Sequence, residues 1–442
     1  MEKVNRKKIA QSTGKVYNHC TIINWRRETL IMSNFESKVH DPEYSLEAVP
    51  ESAPERRGVL PMFAVLVSFT FFAASMSVGA TMGSGLNLSN FVLALIIGGT
   101  ILSFYTGLLA YVGQKTGLSM DLLAQRSFGT KGSFLPSAMI SFTQIGWFGV
   151  GLGMFAYPVS EIIGLHVWAL VIIIGVLMTL TAYFGMKGLT VMASISVPLI
   201  AILGVYSVVT AASAGGGFVQ VFEGGAGDLT LFAAIGMVVG SFVSGGTATP
   251  NFVRFSKTMK IAVLCTIAAF LLGNSLMFIF GAVGGAYTGE GDIFYVLIAQ
   301  GLAIPAILVL GANIWTTNDN AIYTAGLGLS NMTKIRKRPM TLVAGAVATV
   351  ASLWLYNNFI GWLVFLNATL PPVGVVLVLD YFLHKDKYKR GESPTSVINI
   401  WAVSGVVLGA LVANFVPMGI ASINAMVVSA AVYLIGDKVI GR

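Results

Sequence analysis

Asn313, Thr316, Thr317 and Asn320 stand at i, i+3, i+4 and i+7, so on a helix their side chains share one face. They belong to the string Asn313-Ile314-Trp315-Thr316-Thr317-Asn318-Asp319-Asn320, which interrupts an apolar run that begins at Leu302 and resumes at Ala321. Asp319 is the only acidic residue near the middle of any apolar segment. Polar groups in a bilayer are costly, face the protein interior and mark substrate or ion paths. A face of neutral hard oxygens suits an alkali cation, since hard cations take oxygen ligands. The same residue types also hold helices together by hydrogen bonds. Six polar groups in eight positions exceed what such glue requires, and the string is read as a site.

A second constellation lies earlier, in Thr143-Gln144-Ile145-Gly146-Trp147-Phe148-Gly149. Gln144 and Trp147 are three apart and project from neighbouring positions on one helix face. A mid-membrane Gln needs partners for both an amide donor and an acceptor, and the indole beside it offers a flat apolar plane. With Phe242 they supply the parts of a slot between two aromatics, edged by amides. Such a slot suits a small, flat, neutral ring with donors and acceptors on its rim. The apolar segments carry no Lys or Arg near mid-depth, which argues against an anionic substrate.

These residues must be positioned by elements that span a bilayer. Hydrophobic residues make up 55% of the 442 and charged residues only 10%. The mean hydropathy of +0.79 makes lipid the solvent. The apolar runs are too long and continuous for barrel strands. Twelve helical segments are expected, at about 59–84, 90–113, 134–162, 166–184, 189–213, 229–253, 260–285, 302–330, 339–357, 359–384, 396–417 and 419–437. Two shorter stretches, Met120 to Leu123 and Ile293 to Ala299, lie between segments 2 and 3 and between segments 7 and 8. The second is expected at the surface.

With the N-terminus cytoplasmic, the even-numbered connections carry Lys115, Arg126 and Lys131, then Lys187, then Arg254 and Lys257, then Lys334 to Arg338, then Lys385 to Arg390. The odd-numbered ones hold Glu161, Glu223, Asp228, Glu290 and Asp292 and no base. This bias predicts an N-in, C-in inner-membrane protein and explains the net charge of +8 without nucleic-acid binding. Cys20 and Cys265 make no disulfide framework, and the four histidines lie in tails or near segment ends. Residues 1–58 read as a polar cytoplasmic tail, with Met32 the expected natural start and 1–31 an over-extended reading.

Thr70-Phe71-Phe72-Ala73-Ala74-Ser75 echoes Gly240-Ser241-Phe242-Val243-Ser244-Gly245, with Phe72 and Phe242 170 positions apart. Leu189 to Pro198 echoes Leu363 to Pro372 at a spacing of 174. Segments 1–5 (59–213) and 6–10 (229–384) therefore read as two copies of a five-helix unit, the second inverted because five is odd. Segments 11 and 12 (396–437) are additions. Segment 1 from Ala73 to Gly85 and segment 6 from Ser244 to Pro250 are rich in small and helix-breaking residues. Interrupted helices in both halves of an inverted repeat point to a transporter's binding site. Tight helix packing through small residues is the competing explanation.

Thr70 to Met76, Gln144-x-Gly-Trp147-Phe148-Gly149, Asn251-Phe252-Val253-Arg254-Phe255 and the Asn313–Asn320 string resemble the cytosine permease branch of the nucleobase-cation-symport family 1. The resemblance runs from about Arg56 to the last helix. It implies an all-α, LeuT-like fold: a five-plus-five inverted repeat with two added C-terminal helices. Cytosine is the implied substrate and Na⁺ the implied coupling ion, with no other cofactor. Its cation site maps onto backbone carbonyls of Phe72, Ser75 and Asn313 and the hydroxyls of Thr316 and Thr317. Its aromatic sandwich maps onto Trp147 and Phe242, with Gln144, Ser244 and Asn318 as polar contacts. Hydantoin-type relatives carry a glutamine shortly after the Trp-Phe-Gly, where this chain has Gly151; its own glutamine is Gln144, which favours the cytosine branch.

The expectation is a Na⁺-coupled cytosine importer working by alternating access, with membrane lipid as surroundings and no obligatory protein partner. Proton coupling through Asp319, or a related purine or hydantoin-type substrate, is the alternative. No His pair or carboxylate pair lies in the core for an intramembrane enzyme, and no phosphate-binding loop for ATP use.

Overall fold

The computed structural model describes residues 44–440 apart from 224–226, 228, 390–391, 395 and 417–418, so the expected start at Met32 lies outside the described residues. The named elements there are helices, and the one β feature is an isolated bridge from Arg57 to Ser256. Seven helices are long and apolar enough to cross a membrane, or eight if a bent pair counts as one span. Segments 4 (Val167–Tyr183), the second half of 10 (Pro371–Leu383) and 11 (Ile400–Phe415) are apolar but shorter. Segment 8 (Gly311–Thr333) fails the hydropathy test because it carries the polar string. Length and composition therefore support fewer spans than the twelve expected, for reasons of breakage and polarity.

The break in segment 1 is displaced from where composition put it. Helix Val59–Thr70 and helix Ala73–Gly85 meet at 51°, with Phe71 and Phe72 extended between them. The small residues 73–85 form regular helix instead. Gly79 and Gly83 face segment 7 (Met259–Thr288), where Gly281 and Gly285 face back, each pair four apart. A Cβ on Gly79 or Gly83 would overlap the Phe278 or Ala282 carbonyl, and one on Gly281 the Met76 carbonyl. The close-packing explanation thus holds for this half-helix. Gly281→Val should cost at least the ~1–3 kcal/mol typical of overpacking, because the obstacle is backbone. It would be read as a fall in melting temperature; an unchanged value would contradict this packing.

Segment 6 is interrupted more gently. Helix Leu231–Thr247 passes through Ala248 and Thr249, both right-handed, into Pro250–Val253. Segment 10 breaks at Leu370, between helices Phe359–Thr369 and Pro371–Leu383, where two prolines supply no N–H. Segments 7 and 8 each contain a π turn, at Ala269–Gly273 and Ala306–Leu310.

Two packing groups result. The second half of segment 1 packs on segment 7, and segment 2 (Leu88–Thr116) on segments 6 and 7. Segment 3 (Phe134–Ile163) packs on segment 8 and on segment 9 (Lys337–Asn357), which also packs on segment 4. The helix Ile293–Ala299, expected at the surface, is packed in. Ile293, Phe294, Val296 and Leu297 are fully buried, because Ser77, Glu161 and Tyr356 hold it from three sides.

Candidate functional site

Unwinding at Phe71 and Phe72 frees backbone oxygens at the centre of the protein. Segment 8 turns its polar face toward them. Thr317 Oγ1 lies 3.1 Å from the Phe71 carbonyl oxygen, 3.2 Å from that of Ser68 and 3.3 Å from that of Asn313. Asn313 Nδ2 donates to the Phe71 carbonyl at 2.5 Å, and Thr316 Oγ1 to the Asn313 carbonyl at 2.8 Å. Ser196 of segment 5 donates to Thr316 Oγ1 at 3.2 Å. Asn320 Nδ2 reaches Ser68 Oγ at 3.4 Å. Thus Asn313, Thr316, Thr317 and Asn320 share a face, as their spacing requires. The segment 1 carbonyls bonded to Thr317 are those of Ser68 and Phe71. Phe72, by contrast, caps the next half-helix, its carbonyl accepting from Ser75 N at 2.9 Å. Sequence reasoning missed Ser68 and Phe71, since nothing in a side-chain pattern marks which carbonyl an unwound turn exposes. The Asn313 and Asn320 amide oxygens have no hydrogen-bond partner although buried. Neutral oxygens converging on a helix break are a donor set that a desolvated Na⁺ fits.

The slot lies against this cluster. Phe69, Phe72, Gln144, Trp147, Ser241, Phe242, Ser244, Gly245, Thr317 and Ala321 line a slot that is nearly closed, with a free volume of about 10 Å³. Trp147 Nε1 donates to Ser244 Oγ at 3.0 Å, tying segment 3 to segment 6. The Trp147 ring meets Phe72 edge-on at 5.5 Å and Phe359 of segment 10 at 5.9 Å. Phe242 is wedged edge-on between Phe69 at 5.4 Å and Phe270 at 5.8 Å. Gln144 is buried, and its Nε2 has no hydrogen-bond partner. A buried amide donor left unpaired costs ~1–3 kcal/mol, so this one is poised for an acceptor on a ligand. Thr317 belongs both to the slot lining and to the oxygen cluster.

One expected contact does not reach the slot. Asn318 points between segments 3 and 4, donating to the Phe148 carbonyl at 3.1 Å and to Met178 Sδ at 3.4 Å. The helical turn dictates this, because position 318 lies off the 313/317 face. Gly151 lies against it: a Cβ there would come 2.6 Å from Asn318 Oδ1. Asp319 also faces away, accepting from Thr181 Oγ1 at 2.7 Å, while Trp315 Nε1 donates to the same threonine at 2.9 Å.

Access is asymmetric. A wider cavity of about 400 Å³ opens beside the slot on the face of the 5–6 and 11–12 connections; Val78, Thr230, Met237, Gly240, Ser241 and Ile420 help line it. Ser241 lines both cavities. On the opposite face Asp121, Arg254, Asn331 and Lys337 are buried. Ser137 donates to Asp121 Oδ1 at 2.6 Å, Asn331 Nδ2 to Ser137 Oγ at 2.8 Å, and burial pushes the Asp121 carboxyl up to about 6.

The family comparison decides what this arrangement belongs to. The family described as permeases for cytosine/purines, uracil, thiamine and allantoin matches residues 49–436. The chain belongs to this permease family. The cytosine permease of Escherichia coli (strain K12) is 48% identical to this family member over 404 residues, covering 91% of this chain and 96% of the relative. The hydantoin permease of Microbacterium maritypicum is 23% identical over 375 residues, covering 76% of each. Among solved structures, the nucleobase-cation-symport-1 transporter Mhp1, closed with bromovinylhydantoin bound, aligns at a TM-score of 0.76 and 18% identity, covering 90% of this chain and 95% of that one. A Na⁺-coupled sialic acid symporter aligns at 0.67 and 13% identity, covering 87% and 89%. These last two likenesses concern the fold. Permease membership and the spanning helices make this family member an integral membrane protein of the transporter class, with a small heterocycle as the substrate type of its relatives.

Proposed function

We propose that this protein imports cytosine across the bacterial inner membrane by Na⁺ symport, alternating access between the two faces, with both termini cytoplasmic. The observation that carries the coupling is the double membership of Thr317, which lines the slot and bonds the unwound carbonyls of segment 1. A Na⁺ ion among the Ser68, Phe71 and Asn313 carbonyls and the Thr316 and Thr317 hydroxyls would hold segments 1 and 8 together. That contact also fixes one wall of the slot. Ion and substrate then favour the same conformation, and each raises the other's affinity by one factor. Ser75, whose carbonyl belongs to the ligand set implied by resemblance, lies in the first turn of the half-helix Ala73–Gly85.

Recognition of the base follows from polarity. Trp147 and Phe242 supply apolar faces. Gln144 Nε2 supplies a donor with no competing partner. The Ser244 hydroxyl accepts from Trp147, so its own proton is free for an acceptor on the ring edge. The relative with 48% identity is a cytosine permease by name, which supports this base over hydantoins. Asp319, held by Thr181 on the side facing segment 4, is an anchor in this account.

The test is cytosine binding to the purified protein by calorimetry, in Na⁺ and in choline at equal ionic strength. Tighter binding in Na⁺, with Na⁺ binding tightened by cytosine to the same degree, is expected. Equal affinity in both salts would overturn the coupling.

A further inference from the structure

Tyr105, in the middle of segment 2, lies outside the slot and outside the oxygen cluster, yet it bonds the interruption of segment 6 and packs against segment 10 just past its break. Its hydroxyl is 2.6 Å from Thr247 Oγ1, at the last residue of the first half of segment 6. Thr247 Oγ1 already donates its proton to the Val243 carbonyl at 2.8 Å, so Tyr105 is the donor to it. Gly374, in helix Pro371–Leu383 just past the break, packs directly against the same hydroxyl. A Cβ on Gly374 would overlap the Tyr105 hydroxyl, so the approach requires glycine. Tyr105 and Thr247 are both buried.

The half-helix that Tyr105 packs against is also held at its far end. Asp380 is fully buried and accepts from Tyr388, Tyr433 and, at 3.0 Å, Lys387. The other half of segment 10, Phe359–Thr369, carries Phe359 against the slot's Trp147. One half is pinned and the other covers the slot, with the break at Leu370 between them.

We propose that Tyr105 is a positioning residue of the transport cycle: its hydroxyl bonds the break of segment 6 while the same ring rests against Gly374 of the fixed half of segment 10, giving the covering half a fulcrum. This rests on the alternating-access reading. Tyr105 touches neither substrate nor ion; it acts through where segment 10 pivots.

The experiment compares wild type, Tyr105→Phe, Thr247→Val and the double variant in proteoliposomes and in detergent. Each is measured for equilibrium cytosine affinity, maximal uptake rate and melting temperature. Tyr105→Phe should lower the maximal rate roughly five- to tenfold, the effect of one neutral hydrogen bond. Affinity should change less than about twofold on the same scale. Thr247→Val should do the same, and the double variant should be no slower than the worse single, because both remove one interaction. Wild-type turnover in Tyr105→Phe overturns the proposal, as does a double variant whose losses multiply. A loss of affinity in step with rate overturns it too, placing Tyr105 in general stability. If the wild-type protein takes up no cytosine, the transport reading has failed, and that result is visible before any variant is compared.

Discussion

Thr317→Ala is expected to remove the Na⁺ stimulation of cytosine binding while leaving the protein folded. The hydroxyl bonds the Phe71, Ser68 and Asn313 carbonyls, joining segment 8 to the unwound part of segment 1. Alanine removes the single hydroxyl proton those carbonyls share and one oxygen from the proposed ion's donor set. Hydrogen bonds to charged groups are worth ~1.5–3 kcal/mol, so ion affinity should fall about 10- to 150-fold. Thr317→Ser keeps the oxygen and should keep most of the stimulation. The check is calorimetric titration of cytosine in Na⁺ and choline with both variants. Undiminished stimulation in Thr317→Ala would move the ion to another place in the protein.

Gln144→Ala should do the opposite, weakening cytosine and sparing Na⁺. Gln144 lines the slot with a buried Nε2 that has no partner inside the protein. It lies on segment 3, whereas the oxygens of the ion cluster come from segments 1, 5 and 8. Losing one well-placed donor to a ring acceptor costs ~1–3 kcal/mol, about 5- to 150-fold in affinity. Unchanged cytosine affinity, measured by equilibrium binding of radiolabelled base, would take Gln144 out of the site. The two substitutions together separate the ion's contacts from the substrate's.

Much of the site could be read from spacing. The Asn313/Thr316/Thr317/Asn320 face depends only on the 3.6-residue repeat, and that same repeat turns Asn318 and Asp319 away toward segments 3 and 4. Gln144 and Trp147 are three apart on one regular helix, so their joint projection was legible as well. Regular helix is the regime in which sequence determines direction.

Where the helix stops being regular, spacing loses that power. Composition put the interruption of segment 1 among the small residues from Ala73 to Gly85, but Gly79 and Gly83 serve close packing on segment 7, where Gly281 and Gly285 face them. The break falls at two phenylalanines, held open because the Phe71 carbonyl bonds segment 8 instead of its own helix. A tertiary hydrogen bond of that kind has no local signature. For the same reason Ser68 and Phe71 were invisible as oxygen donors. The π turns at Ala269–Gly273 and Ala306–Leu310 are also set by neighbours, not by propensity. Burial of Ile293–Ala299 follows from its ties to Ser77, Glu161 and Tyr356, all remote in sequence.

These elements give the cycle a physical form. Segments 1, 2, 6 and 7 are joined by glycine contacts too tight to slide, and segments 3, 4, 8 and 9 by their own packing. The slot and the oxygen cluster lie where the two groups meet, so movement of one against the other changes both together. Ligands bias such an equilibrium only by the difference in their affinities for its two states. In the proposed cycle, Thr317 would place that difference for Na⁺ at the wall of the slot.

The central claim is that cytosine entry is driven by Na⁺, and uptake of radiolabelled cytosine into proteoliposomes tests it most directly. With pH equal on both sides, an inward Na⁺ gradient should drive accumulation above equilibrium, and dissipating the gradient should release it. Accumulation that follows a proton gradient and ignores Na⁺ would contradict the account and make Asp319 the coupling residue.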